Sequence, residues 1–285
     1  MTNRGALRPA VAVAVLLLSA CAEPGGAAAP TAPTSLPDDA GGLVLRVEYV
    51  GGFATSSMIT GRLPLVSVYA DGRVLSDGPV EAIYPGPAWP NVQVTQLSPA
   101  QVQALVDRAL AAGGAETRDL GSPPVADVPS TRFTVVTASA RAVREVYALG
   151  EFDREAGSGL TDEQVRARAR LSALLTTLLD AAGNGGSPDE YEPEAVAALF
   201  SPWVDPGDNL GQPARPWPGP AVPATPASPL RPACVTATGV QATALRDAAR
   251  AANANTPWTT PDGNRWTVVF RPLLPDESGC ADLPG

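Results

Sequence analysis

Carboxylates, hydroxyls and guanidinium groups are the reactive side chains this sequence offers, because all 20 of its basic residues are arginine and it has no histidine. That inventory excludes whole classes of chemistry. A Ser-His-Asp or Cys-His catalytic set, a His-ligated zinc or haem and an imidazole pH switch all need the missing imidazole. Schiff-base formation, the phosphate lysine of a Walker loop and a Ser-Lys dyad need the missing amine. Carboxylate work remains: two carboxyl groups about 5 to 9 Å apart suffice to hydrolyse a glycoside. Asp127, Glu145 and Asp153 are the least obviously structural acids of the mid-chain; the competing reading gives each an arginine partner or a turn to cap. Asp205-Pro206-Gly207-Asp208-Asn209 sets oxygen ligands at short spacing. It lacks the length, charge density and terminal bidentate glutamate of an EF-hand loop, so an ordinary turn is expected and no metal or cofactor is assigned.

The five tryptophans stand out in a chain that is 5% aromatic. Trp89, Trp217 and Trp258, each next to a proline, are candidates for a ligand platform or for packing. Such a ring can stack on a sugar or peptide, and it can equally fasten an irregular segment to the core. The first alternative demands one large concave pocket that these rings enter. GxGxxG, GxSxG, Walker and CxxC patterns are absent.

Holding any of these groups in place requires strands and helices, and their signals are legible. Residues 43–50 alternate apolar with polar as a half-buried strand does. Residues 65–69 and 73–76 flank Ala70-Asp71-Gly72, a strong hairpin signal. Further strands are expected near Glu81 to Tyr84 and Val92 to Leu97. Ser98 and Pro99 open a helix with an apolar stripe at Val102, Leu105, Val106 and Leu110. An antiparallel pair turning near Ser139 to Arg141 follows. Thr161-Asp162-Glu163-Gln164 is a capping box for a helix over 162–182 that buries Val165, Leu171, Leu174, Leu175, Leu178 and Leu179. A short strand over 194–201 comes next. From Pro206 to Pro232 there are nine prolines, which exclude regular sheet or helix; this segment is a packed strap or a linker. A helix over 240–252 and a strand from Arg265 close the chain. Arg132-Phe133-Thr134-Val135-Val136 matches Arg265-Trp266-Thr267-Val268-Val269 position by position, through duplication or chance.

At the N-terminus, Arg4 and Arg8 precede an apolar run to Leu17, and small residues precede Cys21. This is the order of a secretory signal, too short to span a bilayer. Leu18-Ser19-Ala20-Cys21 resembles the lipobox of bacterial lipoproteins. The resemblance implies removal of residues 1–20, diacylglyceration of the Cys21 thiol, often acylation of the new amine, and partnership with the lipid bilayer. Two or three chains hold firmly, at about 0.8 kcal/mol per buried methylene. Residues 21–40, small and Pro-rich, read as a disordered tether. Loss of Arg4 and Arg8 takes the formal charge from −9 to −11. So acidic a body is a poor partner for nucleic acid or anionic headgroups. With Cys21 committed to lipid, Cys234 and Cys280 are expected to form a disulfide in an oxidising compartment.

The sequence thus predicts an α+β body over 41–285, of antiparallel sheets with about three helices and a Pro-rich strap in the C-terminal part. One body and two subdomains, 41–183 and 190–285, are both compatible with it. Beyond the lipobox the body looks like secreted lipoproteins of high-GC bacteria, a likeness that implies no activity. The functional expectation is a membrane-anchored extracytoplasmic protein that binds an envelope protein or small ligand without catalysis. A carboxylate-dependent hydrolase and a purely structural surface protein are the alternatives.

Overall fold

The computed structural model describes Met1 and residues 34–39, 41–154, 157–184, 188–208, 210, 212–223 and 232–284. The signal, the lipobox with Cys21, most of the tether, Asn209 and residues 224–231 of the Pro-rich segment lie outside the described residues. The α+β class is as expected: two sheets, each with helices on one face.

The first sheet contains β1 (Leu43–Val50), β2 (Val66–Tyr69), β3 (Arg73–Asp77), β4 (Val92–Gln96), β5 (Ser130–Val136), β6 (Arg141–Tyr147) and β7 (Asp189–Glu190). Their order is β6-β5-β1-β2-β3-β4-β7, antiparallel throughout. The connections carry α1 (Ser56–Thr60), α2 (Pro99–Ala111) and α3 (Asp162–Asn184). Alternation turns Leu45, Val47, Val66, Val68, Val74, Phe133 and Val135 to one face, where Val102, Leu105 and Val106 of α2 and Leu171, Leu174 and Leu178 of α3 cover them. Each such fully buried side chain contributes about 1.5–3 kcal/mol.

Local chemistry sets the boundaries. Ser98 Oγ accepts from the Gln101 amide while Gln101 Oε1 accepts from the Ser98 amide at 2.8 Å, and Thr161 and Gln164 repeat the exchange at α3. The β2–β3 turn needs Gly72, whose φ of +94° is joined by a backbone so close that a Cβ would stand 2.2 Å from the Leu97 carbonyl oxygen. α3 runs through Gly183 to Asn184 rather than stopping short of it. Its Leu179 is exposed, because it lies about 100° around the helix from the buried Leu178. Residues 81–84 form no strand. β3 already pairs with β4, leaving no ladder to join. Val80, Ile83 and Tyr84 point to solvent, and the prolines at 79, 85, 87 and 90 carry no amide donor.

The second sheet contains β8 (Ala195–Pro202), β9 (Arg215–Pro216), β10 (Ala233–Thr238), β11 (Trp258–Thr259) and β12 (Arg265–Pro272), in the order β10-β8-β12-β11-β9. All pairs are antiparallel except β11 with β9. α4 (Gly239–Arg250) covers the face of Val196, Ala198, Phe200, Val235, Val268 and Phe270 with Ala242, Leu245 and Ala249. The described part of the Pro-rich segment is a packed strap. The Trp217 amide donates to the Thr259 carbonyl and the Arg215 amide to that of Pro257, and the indole Nε1 donates to Pro220 O at 2.7 Å. Cys234 and Cys280 form the expected disulfide, with Cα atoms 6.1 Å apart. It ties β10 to the C-terminal turn, where Leu283 packs with Ala197, Leu199 and Leu273.

The remaining sheet faces look toward each other. Leu43, Tyr69, Leu75 and Val92 of the first sheet meet Leu274, just beyond β12. A Cβ on Gly61, after α1, would touch Val269 and Leu199 of the second sheet. Residues Pro33–Gly285 form one compact unit, with α2, α3 and α4 outermost, the two sheets in apposition and α1 against β8. The RFTVV and RWTVV segments sit in β5 and β12, but their settings differ. β5 lies four strands from β4, which feeds α2, whereas β12 lies two strands from β10, which feeds α4. The flanking topology is therefore not repeated.

Candidate functional site

A buried polar layer fills the seam between the sheets. Arg46 donates from Nε to Ser67 Oγ at 3.0 Å and from one terminal nitrogen to Asp276 Oδ1 at 2.7 Å and Tyr69 Oη at 3.3 Å. Tyr69 in turn donates to Asp276 Oδ1 at 2.7 Å. Arg271 donates to Glu277 Oε1 at 2.9 Å and to the Pro272 carbonyl, and Glu277 Oε2 accepts the Leu274 amide at 2.8 Å. Burial pushes the Tyr69 phenol far up, with the Asp276 carboxylate adding to the effect. Burial lowers Arg271, and Glu277 opposes it. At Arg46 burial acts against the charge, yet Asp276 and its neighbours outweigh it and the net shift is upward. Ions removed from water need such partners on nearly every polar atom.

This layer backs an open cleft of about 910 Å³ at one end of the seam. Arg73 at the start of β3, Tyr191 beyond β7, Glu192 and Glu194 before β8, Thr238 at the mouth of α4, and Glu277 line it. Tyr191 donates to the Leu273 carbonyl at 2.9 Å, and burial raises its phenol to about 12. Thr238 makes no side-chain cap to α4, so the helix start opens to the cleft with its first amides uncapped by side chain. Arg73 is held by Asp71 at 2.7 Å and lies 5.5 Å from the Tyr69 ring centroid. The cleft can hold a polar ligand through guanidinium, phenol, hydroxyl and carboxylate groups. Its innermost acid, Glu277, is bound to Arg271.

The three candidate tryptophans do not line this cleft. Trp89 is 7%, Trp217 8% and Trp258 1% exposed, and all three belong to the core over the second sheet. Trp217 packs edge-on against Phe200 at 4.9 Å and against Trp258 at 6.1 Å between centroids, and Trp258 meets Phe270 at 5.5 Å. Packing is their role in this structure. The candidate acids are likewise scattered. Asp153 is buried against Arg168 at 2.6 Å. Glu145 shares Arg132 with Glu48. Asp127 holds a positive φ of 63° in a loop, where its carbonyl accepts the Phe53 amide. Asp205 and Asp208 accept the amides of Gly207 and Leu210, as turn residues do. Among the described residues no acidic or cysteine cluster suits a metal ion, and no helix is long and apolar enough to cross a membrane.

A second opening, about 290 Å³, lies at the far end of β12 and is lined by Trp203, Asp205, Leu210, Gln212, Asn255 and Arg265, among others. The length of β12 separates the two openings, roughly 23 Å at about 3.3 Å per residue. The chain enters the body at the cleft end: Asp39 and Gly41 border the cleft, and the Ser35 carbonyl accepts the Ala138 amide in the β5–β6 turn. Sequence reasoning missed the cleft, because its lining comes from five separate segments. It missed Trp203 as a site residue because nothing local distinguishes that ring from its buried counterparts. Compared with protein-family models, curated proteins and solved structures, the chain matches none.

Proposed function

We propose that this is a lipid-anchored extracytoplasmic binding protein. The signal over 1–20 is removed, Cys21 carries the acyl chains, residues 22–40 bridge bilayer and body, and the seam cleft holds an envelope partner or small ligand without transforming it. The anchor rests on the Leu18-Ser19-Ala20-Cys21 pattern. The observation that carries the binding role is the open 910 Å³ cleft whose backing acids, Asp276 and Glu277, are already committed to Arg46 and Arg271. Acids fixed in this way position a ligand and neutralise buried arginines; they are not available as a proton-transfer pair.

Two measurements test this reading. Peptide mass spectrometry of protein extracted from bacterial membranes should find an N-terminal peptide beginning at Cys21 with diacylglyceryl mass, and Cys21→Ser should leave the membrane fraction. A different N-terminus, or unchanged membrane retention of the variant, overturns the anchor. Native mass spectrometry should show a ligand retained by the wild type and lost from Thr238→Trp, which fills the cleft mouth without removing a helix cap. No bound species, or one equally retained by the variant, overturns the cleft.

A further inference from the structure

We propose that the opening at the far end of β12 is a subsite for a neutral oligosaccharide, with Trp203 as its stacking platform and Tyr84 as the platform for the adjoining sugar unit. The inference is independent of the anchor and of the seam cleft. It starts from the way β8 and β12 end. The Trp203 amide donates to the Arg265 carbonyl, extending the ladder by one residue past Pro202. The Arg265 guanidinium lies 5.8 Å from the Trp203 ring centroid. Unlike Trp89, Trp217 and Trp258, Trp203 is only half-buried, and it lines this opening.

The polar groups around that ring decide the ligand class. Asp205 and Arg265 line the same pocket, yet among the described residues neither takes part in an ion pair. Asp205 spends one oxygen on the Gly207 amide and keeps the other. The Gln212 side-chain amide donates to the Leu210 carbonyl at 3.0 Å, and that of Asn255 donates to Tyr84 Oη at 3.2 Å; both leave an amide oxygen as acceptor. The pocket therefore offers guanidinium donors together with carboxylate and amide acceptors, with one positive and one negative charge. A phosphate or carboxylate ligand needs donors alone, and an ammonium ligand needs acceptors alone. A hydroxyl, which donates once and accepts twice, is matched by a mixed set. The apolar C–H face of a sugar ring is matched by an indole face, and a small concave site with one aromatic wall and few polar groups suits a small ligand.

The surface beside the pocket extends the argument. Asn255 links the pocket to Tyr84, a residue 66% exposed, and Leu210 in the lining and the neighbouring Val204 are exposed as well. Two aromatic faces with an amide between them accommodate consecutive sugar units.

The test uses full-length protein in detergent on an array of neutral oligosaccharides of hexose, pentose and N-acetylhexosamine units, with basic, acidic and neutral peptides as a second arm. At least one neutral oligosaccharide should bind, confirmed by titration calorimetry. Trp203→Ala should weaken it about tenfold or more, Trp203→Phe should largely preserve it, and Gln212→Ala, in an exposed loop, should weaken it while leaving the unfolding midpoint unchanged. Binding to peptides alone, to no oligosaccharide, or binding indifferent to Trp203→Ala and Gln212→Ala overturns the proposal. Should Trp203→Ala fail to fold, the array result and Gln212→Ala still decide.

Discussion

The two sheets each present one face to helices, and they fill that face with different materials. In the first, valines and leucines of five strands meet two helices, and long ladders of main-chain bonds hold the elements in register. In the second, β8 contributes the small residue Ala198, and Trp217, Trp258 and Phe270 fill the space above the sheet. Two of its strands are two residues long, and the strap that carries Trp217 is rich in residues without an amide donor. Ladders this short supply few main-chain bonds, so ring edges, an indole hydrogen bond and a disulfide supplement them. The contrast teaches that the first sheet is stabilised by distributed burial, whereas the second depends on a few discrete pins, each of which can be pulled.

The largest effect should come from a pin of the first half. Arg168 is fully buried and donates to Asp153 and to the carbonyls of Leu120, Gly121, Tyr147 and Ala148. Arg168→Ala strands the Asp153 carboxylate and four acceptors, and should cost about 5 kcal/mol in denaturant unfolding. A cost below about 1 kcal/mol would remove it as a pin. Reduction of Cys234–Cys280, a sequence separation of 46, should cost about 4 kcal/mol on the chain-entropy estimate, read as a lower unfolding midpoint in reductant. Trp217→Ala should cost about 3 kcal/mol and raise amide exchange in β9, β11 and β12 before β1 and β5. Equal losses in both sheets would instead make the body one cooperative unit and dissolve the distinction.

The same contrast governs how much was legible from sequence. Ser98 with Gln101, Thr161 with Gln164, and Asp71-Gly72 each carry their own local partner, so the helix starts and the hairpin could be read directly. Cys234 and Cys280 were legible by elimination once Cys21 was set aside. The strand expected at 81–84 failed because propensity is local while a strand needs a free neighbour, and β3 had none. The roles of the tryptophans were undecidable for a related reason: Trp203 and Trp217 both stand beside a proline, and only the third dimension buries one and half-exposes the other. The seam cleft joins Asp39 to Ser278 across most of the chain, and no spacing rule reaches that far.

The smallest expected effect separates the halves by pH. Asp282 accepts from the Ser278 hydroxyl and amide and from the Gly279 amide, and these bonds, the hydroxyl first, hold its carboxyl below the ordinary carboxylate value. A depressed folded value means that the unfolded chain binds the proton more readily. The contribution is complete above the unfolded value of about 3.9 and is lost as the pH falls through the lower folded value. As the pH falls from 5 to 2, the protection factors of the amides at residues 279–283, corrected for the intrinsic exchange rate at each pH, should therefore fall, with the disulfide still holding Cys280 to β10. Residues 130–136 of the first sheet should keep their protection over the upper part of that window. Asp282→Asn should give the lower protection already at pH 5 and flatten the dependence. If the variant retains the wild-type pH profile, the C-terminal turn is held by Leu283 and the disulfide alone, and the second half has one pin fewer than its hydrogen bonds indicate.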